Sequence, residues 1–559
     1  MRPVIALGLD SADSESIKAW VESGKLPNIA KVYNGGSVCA LKNYDWYRAE
    51  TPWTTFLTGV SPSSTGYWSP IKFDGSQYRT KLIHSFDFKK YPPFYSRMKG
   101  KRIAIFDMPQ TAIDESVDGI QVLAWGTHSG QTESISEPPE LWGNLVEKYG
   151  PHPLLNNDGA NCYSYERLLS LFERMKLGIQ RRADICVDLI KDGQWDFFLT
   201  IFGECHVAGH YFWHLGNEHP INQVLGKEEC RDLLLEAYQE VDKAVGRILE
   251  VIPEEARLIV FSAHGMGPNT MDLPSIVFLP EFLYRWNFPG KRGVSGISTA
   301  LNKRTTSKEF QQRFGMAASL WSITRERSAI NNLLKRVTNP RNYRRVQKAI
   351  APFVQLNSMS DAIVDPIVLK QNARDEPFQC PNWYENLWPE MKAFSLPSFS
   401  EGYIRINLHG RDANGTVPPE QYESVCDELI QELCGMQDAV SKKKIVDRVI
   451  KTRSGPNDTD PNLPDADLVV IWNEEVVSNH VTTRTTGDIG PVPFWRTGSH
   501  RANGFAVVYG EGVDKVGVCE KGHAIDLGET FITLVNGIPS GDTEGSSLVS
   551  FTREVEFSE

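Results

Sequence analysis

The chain has 559 residues, enough to bury a large core as one big α/β domain with an insertion or as two domains. Its 41% hydrophobic and 23% charged residues are ordinary for a globular protein, and no stretch is apolar for long enough to span a bilayer. A net charge of −11 argues against general nucleic-acid binding, so no nucleic-acid polymer is expected as a partner.

Nine scattered cysteines without a C-x-x-C pair read as thiols in a reducing compartment rather than as a disulfide framework. Met1 to Asp10 carries a short apolar run ending in an acid, which reads as a first strand and not as a signal peptide. The expected location is cytoplasmic.

In chain order, Val4 to Leu9 reads as a buried strand with Asp10 at its carboxyl end, ahead of an amphipathic helix through Ile17, Trp20 and Val21. An acid in that position is either a helix N-cap or a metal ligand facing the crevice beyond the sheet, where ligands of open α/β sheets bind. Next, Thr51 precedes Pro52 and a helix-like run to Gly59. Its hydroxyl would stand at a helix N-terminus, where the dipole and open amides stabilise an alkoxide or a bound phosphate. A simple N-cap is the alternative.

Residues 101–107 read as another strand, and 165–192 as a long helix with Leu168, Leu169, Leu171, Phe172, Met175, Ile179 and Ile185 as its apolar stripe. Trp195 to Phe202 is a further buried strand. After it, His206 and His210 are four apart and share one face if the segment is helical. Two imidazoles one turn apart can hold a transition metal, zinc above all, or can be packing histidines. A helix follows around 233–251, then a strand from Arg257 to Ser262 that runs into Ala263, His264 and Gly265. Much later come a strand from Asp467 to Trp472, the stretch Arg496 to Gly504 with His500, and a strand from Phe505 to Tyr509. Asp10, Thr51, His206, His210, His264 and His500 thus all fall at or near strand ends, and one shared crevice is the economical explanation.

Residues 285–394 read as an inserted cap or specificity region between core segments 1–284 and 395–559. From Lys291 to Lys348, fourteen lysines and arginines stand against Glu309 and Glu326. They form solvated basic helix faces, or a cap that draws in a polyanionic substrate or rests on anionic lipid headgroups. Ile330, Leu333, Leu334, Val337, Val346, Ile350 and Phe353 among them keep peripheral membrane contact open.

These stretches together resemble the alkaline phosphatase superfamily, in particular its type I phosphodiesterase and nucleotide pyrophosphatase branch. Glu204-x-His206-x-x-Gly209-His210 resembles that branch's E-x-D-x-x-G-H motif, and Ser262-Ala263-His264-Gly265-Met266 its S-D-H-G-M. Gly498-Ser499-His500-Arg501-x-x-Gly504 resembles G-x-H-R-x-x-G, Thr51-Pro52 with Thr58-Gly59 the nucleophile loop, and Asp10 the first-strand acid. Tyr403 to Arg411 is similar to an I-R-I-N-x-x-G-R segment of some bacterial members.

The resemblance implies a three-layer α/β/α core with a mainly parallel sheet and an activity as a metal-dependent phosphoester hydrolase, of phosphodiesterase or nucleotide pyrophosphatase type. It implies an anionic phosphorylated substrate and one or two zinc ions, with manganese or magnesium as alternatives. One metal site would use Asp10, Thr51 and His264, the other His206, His210 and His500, and Thr51 would be the nucleophile. The family's C-x-P-x-R sulfatase signature is absent around Thr51.

Two positions depart from the pattern, and both remove a carboxylate: His206 and Ala263 stand where the family has Asp. Three neutral histidines remain a good zinc set, whereas alanine binds no metal. Either Glu204 or another carboxylate moves in, or the protein runs on one metal, or it is a non-catalytic binding module or a phosphotransferase or mutase. The oligomeric state stays open.

Overall fold

The computed structural model describes residues 2–550 except 50, 84–85, 128–131, 156–163, 223–229, 399, 493, 495, 512, 514–518 and most of 295–379. Nine strands build the central sheet: β1 (Val4–Leu9), β2 (Ser37–Lys42), β3 (Ile103–Met108), β4 (Gly119–Leu123), β5 (Ile135–Glu137), β6 (Phe197–Phe202), β7 (Arg257–Ser262), β8 (Asn503–Tyr509) and β9 (Cys519–His523). Their order is β9-β2-β8-β7-β1-β6-β3-β4-β5. The β1–β6, β1–β7, β3–β4, β3–β6 and β2–β9 pairs are parallel, while β8 runs against β2 and β7 and β5 runs against β4. The sheet is therefore mixed but mainly parallel, as expected.

All six residues of β1 are buried, and the two-residue period divides them between opposite faces. Ile5, Leu7 and Leu9 pack under the helices α1 (Ser14–Glu22), α2 (Pro27–Gly35), α4 (Tyr165–Asp192), α5 (Glu204–Gly216) and α6 (Leu233–Leu249). Val4 and Ala6 pack on the other face against α3 (Pro52–Thr58) and α7 (Asp526–Asn536). Because both faces are covered, the central strands read as continuous apolar runs. The result is a three-layer α/β/α core.

A second apolar cluster surrounds an antiparallel sheet in the order Ala393–Leu396, Gly402–Ile406, Leu468–Trp472, Val446–Lys451. Trp383, Trp388 and Met391, from the far end of the predicted insertion, pack in this cluster. The basic run between Lys291 and Lys348 lies almost wholly outside the described residues. The Tyr403–Arg411 segment turns out to lock this second sheet: Arg405 pairs with Asp412 at 2.8 Å and Arg411 with the buried Asp467 at 2.6 Å. Burial alone would raise the Asp467 carboxyl, yet the Arg411 and Arg405 guanidiniums hold it below its usual value.

No helix among the described residues is long and apolar enough to cross a membrane. Among the described residues, no disulfide joins Cys39, Cys186, Cys205, Cys230, Cys426 and Cys434.

Candidate active site

The register of the sheet assembles the site. Leu9 lies opposite Phe202, and Gly8 opposite Phe261, so β1, β6 and β7 end side by side. Asp10, Gly203 and Ala263-His264 therefore leave the sheet at one edge, where open α/β sheets hold their ligands. The Ser262 hydroxyl clamps this edge: it accepts from the Ala12 amide at 3.0 Å and donates to the His264 carbonyl at 2.7 Å.

Helix α5 begins at Glu204, so His206 and His210 share a face one turn apart, as predicted. A short antiparallel pair, Gly265–Pro268 with Gly498–Arg501, places Met266 opposite His500 and carries His500 over the strand ends. The approach of α5 is close: a Cβ on Gly498 would lie 2.1 Å from the Gly209 carbonyl oxygen. Only glycine fits there.

His206, His210 and His500 bring ring nitrogens within 4.8 Å of one another. Among the described residues, this is the one group of His, Cys, Asp and Glu whose donors converge in that way. The Nδ1 of His210 meets the Gly498 carbonyl at 2.8 Å. A carbonyl only accepts, so Nδ1 carries the proton and Nε2 presents a lone pair to His206 Nε2, 3.0 Å away. Arg496 donates to the same lone pair at 3.2 Å, and the buried Asp272 holds its Nε at 2.7 Å. A neutral imidazole oriented by a backbone carbonyl is the usual state of a metal-bound histidine. The donor set fits zinc.

His264 joins the group with its ring 5.0 Å from that of His500, and its Nε2 lies 3.9 Å from the Asp10 carboxylate. Asp10 does not cap α1, because Asp13 does so by accepting from the Ser16 amide at 2.9 Å. Thr51 directly precedes α3, yet its hydroxyl accepts no helix amide. It donates instead to the Tyr47 carbonyl at 2.9 Å, so the simple N-cap expectation is not what the side chain does. Two residues on, Trp53 stands edge-on to His264 with ring centroids 5.9 Å apart, which ties the start of α3 to the histidines.

One expectation is corrected. Glu204 does not turn toward the histidines to supply the missing carboxylate. It is buried under α5, 2.9 Å from His152 and 3.3 Å from Arg182, whose guanidinium also pairs with Asp107 at 2.6 Å. Burial raises its pKa, but Arg182 and His152 outweigh that and hold the carboxyl at about 2. The reason is charge: Arg182, at the centre of the core, needs two acids around it. Ala263, for its part, packs in the apolar layer with Trp53 and Phe261.

Sequence reasoning missed Ser11. Its buried hydroxyl lies 3.1 Å from Asp10 Oδ1, 2.8 Å from His264 Nε2 and 3.4 Å from His500 Nδ1. No motif marks it, and its position just after the strand-end acid was the sole signal.

The model of the type I phosphodiesterase / nucleotide pyrophosphatase family matches residues 4–307, more than half of the chain and most of these site residues. The chain belongs to this family. Membership supports phosphoester hydrolysis as the general class of reaction. Among solved structures, this phosphodiesterase-family chain is similar to wild-type alkaline phosphatase PafA, at 12% identity with 98% of each chain covered and a TM-score of 0.47. It is also similar to phosphonoacetate hydrolase from Sinorhizobium meliloti 1021 in complex with phosphonoformate, at 12% identity over 96% of this chain and 95% of that one, TM-score 0.44. The same hydrolase in complex with phosphonoacetate gives 11% identity, equal coverage and a TM-score of 0.43. No curated protein sequence matches the chain.

Proposed function

We propose that this family member is a metal-dependent phosphoester hydrolase with Thr51 as its nucleophile and His206, His210 and His500 as a zinc site. The observation that carries the reading is the His210 tautomer, fixed by Gly498 so that its lone pair points at the other histidines. Asp10, His264 and Thr51 would form the second ligand group, and manganese or magnesium could replace zinc there. A bound ion would supply positive charge for the phosphoryl oxygens and lower the pKa of a nearby hydroxyl.

The chain's own residues do the rest. The Thr51 hydroxyl passes its proton to solvent and attacks phosphorus, the P–O bond to the alcohol or phosphate breaks and that leaving oxygen takes a proton from solvent, and water then hydrolyses the phosphothreonine to regenerate Thr51. Arg496, held by Asp272, offers a guanidinium at the lip of the histidine group that suits a phosphoryl oxygen. The substrate is an anionic phosphorylated molecule, drawn in by the basic insertion, which on this reading also touches anionic membranes. The protein acts in the cytoplasm.

Ala263 favours a second reading: a phosphotransferase, a mutase or a non-catalytic relative, since no acid replaces it on β7's end. Metal content of the purified protein, measured with turnover of bis(p-nitrophenyl) phosphate and p-nitrophenyl phosphate, separates the two. Bound metal with hydrolysis of either ester is the expected result. Bound metal without hydrolysis, even in excess cation, sinks the hydrolase reading.

A further inference from the structure

We propose that Ser11 is a cation ligand, and that its hydroxyl, the Asp10 carboxylate and the His264 imidazole together hold a divalent ion beside the three-histidine group. The inference rests on the metal-dependent reading above and deepens it, because it names the donor that offsets the alanine at 263.

Ser11 follows β1 directly and is fully buried, with a backbone φ of +54°. That left-handed conformation is uncommon for a residue with a Cβ, and such strain persists where the surroundings enforce a side-chain direction. The enforced direction is toward the site. Ser11 Oγ lies 3.1 Å from Asp10 Oδ1 and 2.8 Å from His264 Nε2, and those two atoms lie 3.9 Å apart. Donors about 2.0–2.2 Å from one tetrahedral ion are spaced roughly 3.3–3.6 Å from each other. The three separations bracket that value. His500 Nδ1, 3.4 Å from Ser11 Oγ, sets this trio against the three-histidine group.

A catalytic Ser-His-Asp arrangement is the obvious rival. It requires the serine and the acid on opposite ring nitrogens, so that the acid orients the base. Here both Ser11 and Asp10 face Nε2 of His264. Ser11 Oγ, Asp10 Oδ1 and His264 Nε2, all within 3.9 Å of one another and joined by the hydrogen bonds of Ser11, are close enough for one ion to share. Two oxygens and one imidazole suit manganese or zinc, and three protein donors leave a coordination position for a substrate oxygen. Thr51, expected in this group, has its hydroxyl on the Tyr47 carbonyl. Ser11 thus adds a hydroxyl to the group in which Thr51 serves as nucleophile.

The test is metal content per chain after equilibration with Mn2+ or Zn2+ and removal of free ion, in the parent, Ser11→Ala, Ser11→Gly and Ser11→Cys. Ser11→Gly relaxes the left-handed backbone, so it separates loss of a ligand from a folding defect. The parent should hold about two equivalents, and both Ser11→Ala and Ser11→Gly about one, the three-histidine ion remaining. Ser11→Cys loaded with Cd2+ should show a thiolate-to-metal charge-transfer absorption that the parent lacks. Ser11→Ala and Ser11→Gly that both keep the parent's metal content, or a Ser11→Cys protein without the new absorption, overturn the inference and leave the three-histidine site standing. A parent that binds no ion at all overturns the metal-dependent reading along with it.

Discussion

The Nε2 atoms of His206 and His210 face each other at 3.0 Å across one turn of α5. His210 donates its Nδ1 proton to the Gly498 carbonyl, so Nε2 is the ring nitrogen left to accept a proton or to bind an ion. Arg496 and the His206 ring both face that lone pair. A transition metal satisfies it better, because both imidazoles then donate at once.

His210→Ala should therefore remove about one equivalent of metal, a loss of several kcal/mol in binding. Elemental analysis of the purified variant checks this. A variant that keeps the parent's full metal content would remove His210 from the ligand set.

Thr51→Ala should abolish phosphoester turnover while leaving the fold intact, and Thr51→Ser should keep part of it. The fold is expected to survive because the hydroxyl makes one neutral bond to the Tyr47 carbonyl, worth about 1 kcal/mol. Circular dichroism and initial rates on the two p-nitrophenyl esters test both halves. Full activity in Thr51→Ala would move the nucleophile elsewhere or eliminate the covalent mechanism.

Glu204→Gln should destabilise the protein by about 3–5 kcal/mol at neutral pH, since it leaves Arg182 with Asp107 as its one acid at the core. The folded carboxyl sits at about 2 against an ordinary 4.5. A depressed carboxyl contributes fully above its unfolded pKa and loses that contribution as pH falls through the folded value. The stability gap between parent and variant should thus be constant above pH 4.5 and close progressively toward pH 2. Denaturant unfolding across this range measures it, and a gap that stays constant down to pH 2 would mean that the carboxylate is not paired as described.

Ala263→Asp should be unstable without metal and recover with it. The side chain at 263 is buried in the apolar layer that also holds Trp53 and Phe261, so an unpaired carboxylate there costs several kcal/mol. In parent protein first stripped of metal, activity should climb with added Mn2+ or Zn2+. In Ala263→Asp it should saturate at lower concentration, and thermal melts with and without the ion should diverge. A variant whose melting temperature ignores the ion would place position 263 outside the ligand sphere.

Much of this was written in the linear order of residues. β1, β6 and β7 are mainly apolar runs followed by Asp10, Gly203 and His264 within two residues, which is how a sheet covered on both faces declares its edge. The four-residue spacing of His206 and His210 placed them on one helix face before any coordinates, because helical geometry is local. The second sheet's I-R-I-N-x-x-G-R segment was equally visible, but its role was not: Arg411 finds Asp467, 56 positions on.

What the amino-acid order determined by itself was the set of elements, their chemistry at the strand ends and the family to which they are similar, since period, capping and apolar runs act over a few residues. Tertiary structure decided which donors meet. Only the register of β1 with β6 and β7 puts Asp10 beside His264, and only packing against Arg182 and His152 turns Glu204 away from the histidines. Ser11 depends on both, because a hydroxyl becomes a candidate ligand when a strained backbone and two distant histidines hold it in place. Charges and donors separated by hundreds of positions choose partners by distance and burial, and neither quantity exists until the chain has folded.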